Sequence, residues 1–254
     1  MITVVGAGFA GVEAAWAAAS QGVPVRLYEM RPVKSTPAHT TGWFAELVCS
    51  NSLKSKAPDS PAGQLKLEMD ALGSLVLSKA REHEVPGGQA LAVDRDKFGE
   101  AITVAIEEHP LIEVVREEFL PEHASASGEH PLIIATGPLT SDALSEWLAQ
   151  ITGRKHLYFY DAVSPTVEAS SIDTSIAFAQ SRYDKGGDSY LNCPVDKGEY
   201  TAFVQALVQA ERVPIHAFES GGVRQEGLGD EGPFLEKIKY FAGCTPIEAI
   251  AEGG

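Results

Sequence analysis

No apolar run of about 18 residues interrupts this chain, nor any low-complexity tract or block of like charge, which excludes a membrane-spanning helix, a disordered tail and a fibrous repeat. Cysteine is scarce. Cys49, Cys193 and Cys244 are odd in number, far apart and without a Cys-x-x-Cys pair, so neither a disulfide framework nor a zinc site is expected, and free thiols in a reducing cytosol fit best. The seven histidines show no metal-ligand spacing, and His39, His83 and His216 read as surface or cap residues. Met1 opens directly into a strand-like run with no basic and apolar leader, so no export signal is present and a cytoplasmic location is expected. Positive charge is also short. Lys and Arg number 20 against 35 Asp and Glu, a net charge of −15. The deficit is spread along the chain, with 11 basic and 17 acidic side chains in residues 1–127 and 9 and 18 thereafter. Such a field repels phosphate backbones over about a Debye length and excludes a protein that grips nucleic acid through bulk charge. No nucleophile elbow, P-loop or metal box occurs.

What is present is an ordinary globular composition, 44% hydrophobic and 22% charged, in 254 residues. That length suits one large domain or one domain interrupted by another. The chain begins Ile2-Thr3-Val4-Val5, then Gly6-Ala7-Gly8-Phe9-Ala10-Gly11, then the alanine-rich Val12–Ala19, ended by Gly22. This reads as strand, glycine turn and helix. A second strand, Val23–Tyr28, ends at Glu29, which lies 23 residues after Gly6. The spacing is what a dinucleotide site requires. Gly6 permits a tight turn, Gly8 lets the backbone approach a pyrophosphate, Gly11 lets helix and strand pack closely, and Glu29 can accept both hydroxyls of an adenosine ribose.

Flavin and nicotinamide sites share this fingerprint, and two later segments decide between them. Leu91-Ala92-Val93-Asp94-Arg95-Asp96-Lys97-Phe98 runs a strand into a helix and resembles the Asp-Arg-x-x-Phe segment of flavoproteins in the glutathione-reductase-like superfamily. Leu132-Ile133-Ile134-Ala135-Thr136-Gly137-Pro138 resembles the Ala-Thr-Gly motif of the same superfamily, and the order of the motifs matches. The resemblance implies an α/β fold with a Rossmann-like FAD-binding domain, FAD being favoured over NAD as the tightly held cofactor. Residues Gly6, Ala7, Gly8, Phe9, Ala10, Gly11, Glu29, Thr136 and Gly137 are the cofactor-binding candidates.

Between Glu29 and Asp94 lies a long connection with Pro32, Pro37, Pro58 and Pro61, followed by a predicted helix from Ala62 to about Glu84 with Leu65, Met69, Leu72, Val76 and Leu77 on its core face. Beyond Gly137, a helix over roughly 141–151 is followed by strand-like Leu157–Tyr160 and Thr166-Val167. Further helices are predicted near Glu199–Glu211 and Phe234–Phe241, with a glycine-rich loop at 221–232 between them. The expected organisation is a FAD-binding domain over 1–154 and an inserted, substrate-facing α+β domain over 155–254. In this superfamily the chain usually returns after the insertion to complete the first domain. No such return follows Ala251-Glu252-Gly253-Gly254, so the chain reads as the front part of a longer protein.

The residues around Cys49 favour a buried structural thiol, because Ser50, Asn51 and Ser52 follow an apolar run. Cys244, in Gly243-Cys244-Thr245-Pro246, stands where one helix ends and another starts, a place that can stabilise a thiolate. Cys193, before Pro194, reads as packed in a turn. Together Thr36-Pro37-Ala38-His39, Phe44-Ala45-Glu46-Leu47-Val48-Cys49-Ser50-Asn51-Ser52-Leu53, Ser181-Arg182-Tyr183, Tyr190-Leu191-Asn192-Cys193-Pro194 and Gly243–Glu248 resemble the folate- and FAD-dependent tRNA uracil-C5 methyltransferases, the TrmFO family. Gly42, Ala242 and Gly253 depart from its usual acidic residue, glutamate and arginine.

The resemblance implies an enzyme in which methylenetetrahydrofolate supplies a one-carbon unit, reduced FAD relays it and provides electrons, NAD(P)H is the reductant, and uracil C5 in the tRNA T-loop is the acceptor. Uracil C5 becomes nucleophilic only after a sulfur adds to C6, so the resemblance assigns Cys244 as that nucleophile and Cys49 as a second thiol near the flavin. The expected partners are tRNA and folate, with no membrane and no metal. The rival readings are a flavin enzyme acting on ribosomal RNA or on the tRNA wobble uridine, and a nucleotide-binding chain without turnover.

Overall fold

The structure, a computed structural model, describes residues 1–36, 38–48, 50–126, 130–153, 167–180, 188 and 190–210. β-Branched residues form β1 (Ile2–Val5), which pairs in parallel with β2 (Val25–Tyr28) on one side and β7 (Leu132–Ile134) on the other. β6 (Ile112–Val115) adds in parallel to β2, giving the order β6-β2-β1-β7. A parallel sheet needs cover on both faces. On one face lies α1 (Phe9–Ser20), whose alanines favour helix and whose Gly11, Val12, Ala15 and Ala19 form one buried stripe. It ends at Gly22, where a positive φ closes the turn. On the other face Val5 of β1 and Tyr28 of β2 pack with Phe119 and with Leu144 from α6 (Asp142–Thr152).

The long crossover from β2 to β6 carries a second, antiparallel sheet of β3 (Ser52–Ser55), β5 (Ala90–Val93) and β4 (Glu84–Val85), in the order β3-β5-β4. From β5 the chain enters α4 (Arg95–Glu107), capped by the Asp94 carboxylate accepting the Lys97 amide at 3.2 Å. Phe98, Ile102 and Ile106 repeat at intervals of four residues and are fully buried in the main core with Leu27, Leu91 and Val93.

One expectation is corrected in this crossover. The helix read over 62–84 is two helices, α2 (Pro61–Ala71) and α3 (Leu75–Glu82). Gly73 takes a φ of +77° and Ser74 caps α3 by accepting the Leu77 amide, while Glu13 of α1 bonds Ser74 and accepts the Val76 amide at 2.8 Å. The break resets the helical phase. Leu75, Val76, Leu77 and Ala80 enter the core, whereas Leu65 and Leu72, expected there, are 56% and 86% exposed. His83 ends α3 as its C-cap.

By contacts the chain divides into a unit of Met1–His156 with Gln180–Tyr190 and a unit of Leu157–Ala179 with Leu191–Gly254. α5 (Pro121–Ala126) completes the elements of the first. In the second, β8 (Phe178–Ala179) pairs antiparallel with β9 (Leu191–Asn192), and α7 (Lys197–Gln209) starts at a reciprocal capping box of Asp196 and Glu199. Val167, expected in a strand, is exposed and outside any element. The strands expected at 157–160 and Thr166, the loop at 221–232 and the helix at 234–241 lie outside the described residues.

The segment following β2 returns to pack on α4, where one side chain anchors its backbone. Thr103, 1% exposed, accepts the Phe44 amide at 2.8 Å and donates to the Gly99 carbonyl at 2.7 Å. Thr103→Val keeps the shape and leaves the Phe44 amide unpaired in the core, so it is expected to cost about 1–3 kcal/mol in chemical denaturation, whereas Thr103→Ser costs less than half of that.

Candidate dinucleotide-binding cleft

Glycine 6 sits where β1 ends, with a φ of +93° and its amide donated to the Tyr28 carbonyl at 2.8 Å. A Cβ here would lie 2.8 Å from the Ala135 carbonyl oxygen and the Thr136 Cα, so only glycine lets β1 pass this close to the turn after β7. Gly11 serves helix packing in the same way, since its Cβ would fall 1.7 Å from the Gly6 oxygen. At Gly8, which caps α1, a Cβ would meet nothing within 4 Å. The three glycines therefore differ: two allow the chain to touch itself, and the third leaves backbone open to the cleft.

That cleft lies over the carboxyl ends of β1, β2 and β7, where open α/β sheets bind ligands. Gly6, Gly8, Glu29, Ala135 and Thr136 line it, together with Arg31, Thr36, His39, Glu117, Glu118 and Ser141. Of the remaining sequence candidates, Ala7 is buried and offers its amide to Glu29, Phe9 packs against Phe98, Ala10 is exposed, and Gly137 opens a short turn at a φ of +66°. The Thr136 hydroxyl is within 2.6 Å of that of Thr140.

Glu29 is 6% exposed, a position that an unpaired carboxylate does not tolerate. Its Oε2 accepts the Ala7 amide at 2.9 Å, and its Oε1 accepts the Arg31 amide at 3.0 Å and the Arg31 Nε at 2.9 Å. Arg31 is 3% exposed and reaches in the other direction to Glu46, with Nη1 to Oε2 at 2.8 Å. Thr40 and Thr41 donate their amides and hydroxyls to Glu46. Burial raises the Glu29 carboxyl, but the bonds and charge of Arg31 and the Ala7 amide outweigh it and hold the group below the usual carboxylate range. Burial likewise raises Glu46, and the bonds from Thr40 and Thr41 bring it below that range. Burial and the Arg31 charge depress His39, with Glu46 and Glu29 acting the other way, so its imidazole is neutral at pH 7. His39 Nδ1 lies 2.6 Å from the Thr36 hydroxyl.

The surrounding loop is held from outside as well. Arg116 donates to the carbonyls of Arg31 and Gly42 at 3.1 and 2.9 Å and stacks 4.0 Å from the centre of the Phe44 ring. The Ala45 amide bonds the Ala7 carbonyl, and Lys34 bonds both oxygens of Glu118 at 2.8 Å. Asp94 and Arg95 stand apart from the cleft, Asp94 as a helix cap and Arg95 donating to the Leu47 carbonyl at 3.3 Å. Sequence reasoning missed Arg31, Glu46 and Arg116, and read His39 as a surface or cap residue. Only Arg31 carried a local signal, two residues beyond the acid. Cys49 and Cys244 lie outside the described residues, and Cys193, expected to pack in a turn, is free and exposed. Among the described residues no cluster of three metal-ligating side chains occurs, and no helix is long and apolar enough to cross a membrane.

Sheet order, glycine turn and acid-ended second strand define a Rossmann-like α/β fold of the dinucleotide-binding kind. The sequence model of glucose inhibited division protein A matches residues 1–232, and the chain belongs to that family. The likeness to the TrmFO methyltransferases extends over the whole chain. Among curated relatives, the methylenetetrahydrofolate–tRNA-(uracil-5-)-methyltransferase TrmFO of Heliobacterium modesticaldum is 50% identical over 253 residues, covering 100% of this chain and 53% of the relative. Its namesakes from Streptococcus thermophilus and Synechococcus elongatus are 47% and 49% identical and are covered over 52% and 50% of their lengths. The chain thus spans about half the length of the curated relatives it matches. A solved structure of GidA from Aquifex aeolicus aligns at 23% identity and a TM-score of 0.37, over 46% of this chain and 19% of that one.

The depressed pKa of Glu29 has a definite sign. A carboxyl whose folded value lies below its unfolded value, about 4.3, contributes stability above that pH and loses it as pH falls through the folded value. Glu29→Gln is therefore expected to unfold more easily than the parent at pH 7, with the difference shrinking as denaturation is repeated below about pH 4. A difference independent of pH would show that the charge of Glu29 is not what stabilises the turn.

Proposed function

We propose that this chain binds FAD and belongs to a folate-dependent methyltransferase acting on uracil C5 of tRNA, within the T-loop. The observation that carries the cofactor reading is the bare backbone at Gly8 beside the ionised, buried Glu29, in a cleft completed by Thr136. These residues fit an adenosine diphosphate moiety. A pyrophosphate would meet the backbone left open at Gly8, at the start of α1, and Glu29 would take the ribose. The curated relatives, named as methylenetetrahydrofolate-dependent tRNA methyltransferases and aligned along the whole chain, support the reaction.

In this reading residues 1–154 hold the cofactor and 155–254 face the RNA. FAD, when bound, supplies electrons and the one-carbon relay from methylenetetrahydrofolate, with NAD(P)H as the external reductant. The Cys244 thiolate adds to uracil C6, and the new C–S bond makes C5 nucleophilic. Once the carbon is on C5, loss of the C5 proton, reduction of the methylene to methyl by the two electrons that NAD(P)H supplies, and expulsion of the thiolate would restore the ring, Cys49 being the thiol near the flavin that takes that proton or guards the adduct. A cytoplasmic location goes with these substrates.

Purified chain is expected to take up FAD, and Gly8→Ala, which the backbone accommodates, to weaken uptake by about tenfold or more, about 1.4 kcal/mol. Failure of the parent to bind any flavin overturns the cofactor assignment. With methylenetetrahydrofolate, NAD(P)H and unmodified tRNA, mass spectrometry is expected to find 5-methyluridine. Flavin-loaded protein that forms none refutes the catalytic assignment for this chain. Cys244→Ala is expected to abolish the covalent complex with 5-fluorouracil-substituted tRNA, and a surviving complex would assign the nucleophile elsewhere.

A further inference from the structure

The hydrogen bonds already made by Glu29 bear on how the cleft recognises a ribose. A carboxylate offers about four acceptor positions, two on each oxygen. In Glu29 both positions of Oε1 are taken by Arg31, one by its amide and one by Nε, and one position of Oε2 is taken by the Ala7 amide. A single acceptor position remains, on Oε2. Arg31 is not free to turn away, because its guanidinium is buried and fixed at its far end by the part-buried Glu46. Glu46 is in turn held by two threonines through four bonds. The planar fork of arginine can bridge two carboxylates in this way, and a lysine cannot.

We propose that Arg31, anchored by Glu46, is a positioning residue that confines Glu29 to one acceptor direction, so that the cleft recognises one of the two vicinal ribose hydroxyls of an adenosine ligand far more strongly than the other. The inference rests on the dinucleotide reading above and deepens it. Sequence spacing suggested an acid that accepts both hydroxyls, whereas the bonds to Arg31 leave room for one direct bond. The charged and titratable groups around Glu29 are Arg31, Glu46 and His39, and Glu117 and Glu118 also line the cleft. Arg31 is the cation bonded to the carboxylate, so its removal leaves Glu29 among acids.

The test is binding of ADP, 2′-deoxy-ADP and 3′-deoxy-ADP to the full chain by calorimetry. In the parent, one deoxy analogue is expected to bind about 10- to 100-fold more weakly than ADP, the worth of a hydrogen bond to a charged group, and the other within about threefold of it. Arg31→Met is expected to weaken ADP and to reduce the preference between the two analogues to about threefold or less. The pH below which ADP affinity falls is expected to rise, because Glu29 then protonates more readily. Arg31→Lys restores the charge, and with it the pH profile, but not the preference. Should Arg31→Met fail to fold, Glu46→Gln decides, since it frees the far end of Arg31 and should reduce the preference in the same direction. A folded Arg31→Met, or Glu46→Gln in its place, that keeps both preference and pH profile overturns the proposal, as does a parent that discriminates equally against both analogues. A parent that binds neither ADP nor FAD overturns the dinucleotide reading instead.

Discussion

A carboxylate kept charged in the interior is the constraint on which the cleft depends. Glu29 ends β2 with almost no contact with water, and an isolated acid there would take up a proton. It remains an anion because an amide of the glycine turn and a buried arginine both donate to it. The consequences run outward in sequence. Arg31 needs a second acid, Glu46 needs the amides and hydroxyls of Thr40 and Thr41, and the loop carrying them is seated by Thr103 on α4 and by Ala45 on the glycine turn. A charge at the end of one strand thus orders a segment up to 17 residues further on, at Glu46.

Cations are few in this chain, and many of those described are used internally. Arg31 and Arg116 hold the loop, Lys34 closes on Glu118, and Arg26, Lys56, Lys79, Arg81 and Lys97 each pair with an acid. The surface pairs contribute little to stability. Each pair takes up one acid with its cation, so the excess of acids that the composition shows is left in place. A polyanionic substrate would therefore be recognised through local contacts rather than through the overall field.

The parts of the fold legible in the sequence are those in which a short stretch carries its own instruction. Residues 2–29 could be read as strand, turn, helix and strand because β-branching, three glycines, an alanine run and a terminal acid occur at fixed local spacing. The strand-to-helix passage at Asp94 was legible for the same reason, although its sheet is antiparallel and separate from the one holding the cleft. The helix break at Gly73 was misread because apolar spacing on either side looked continuous, while the reset of phase depended on a left-handed glycine and on Glu13 of another helix reaching Ser74 and Val76. Leu65 and Leu72 carry the same side chain as residues of the core and differ from them only in which way the helices turn.

By itself the sequence determined the class of fold and the position of the candidate cleft, since both follow from conformational needs met within a few residues: φ near +90° at Gly6, an uncluttered backbone at Gly8, an acid one strand later. The partners of that acid depended on the folded chain. Arg31 and Glu46 are 15 residues apart, and Phe44 and Thr103 are 59 apart. No spacing rule joins such pairs; they meet because a buried charge demands an opposite charge, and a buried amide an acceptor, within hydrogen-bond reach, and only the folded chain brings them there.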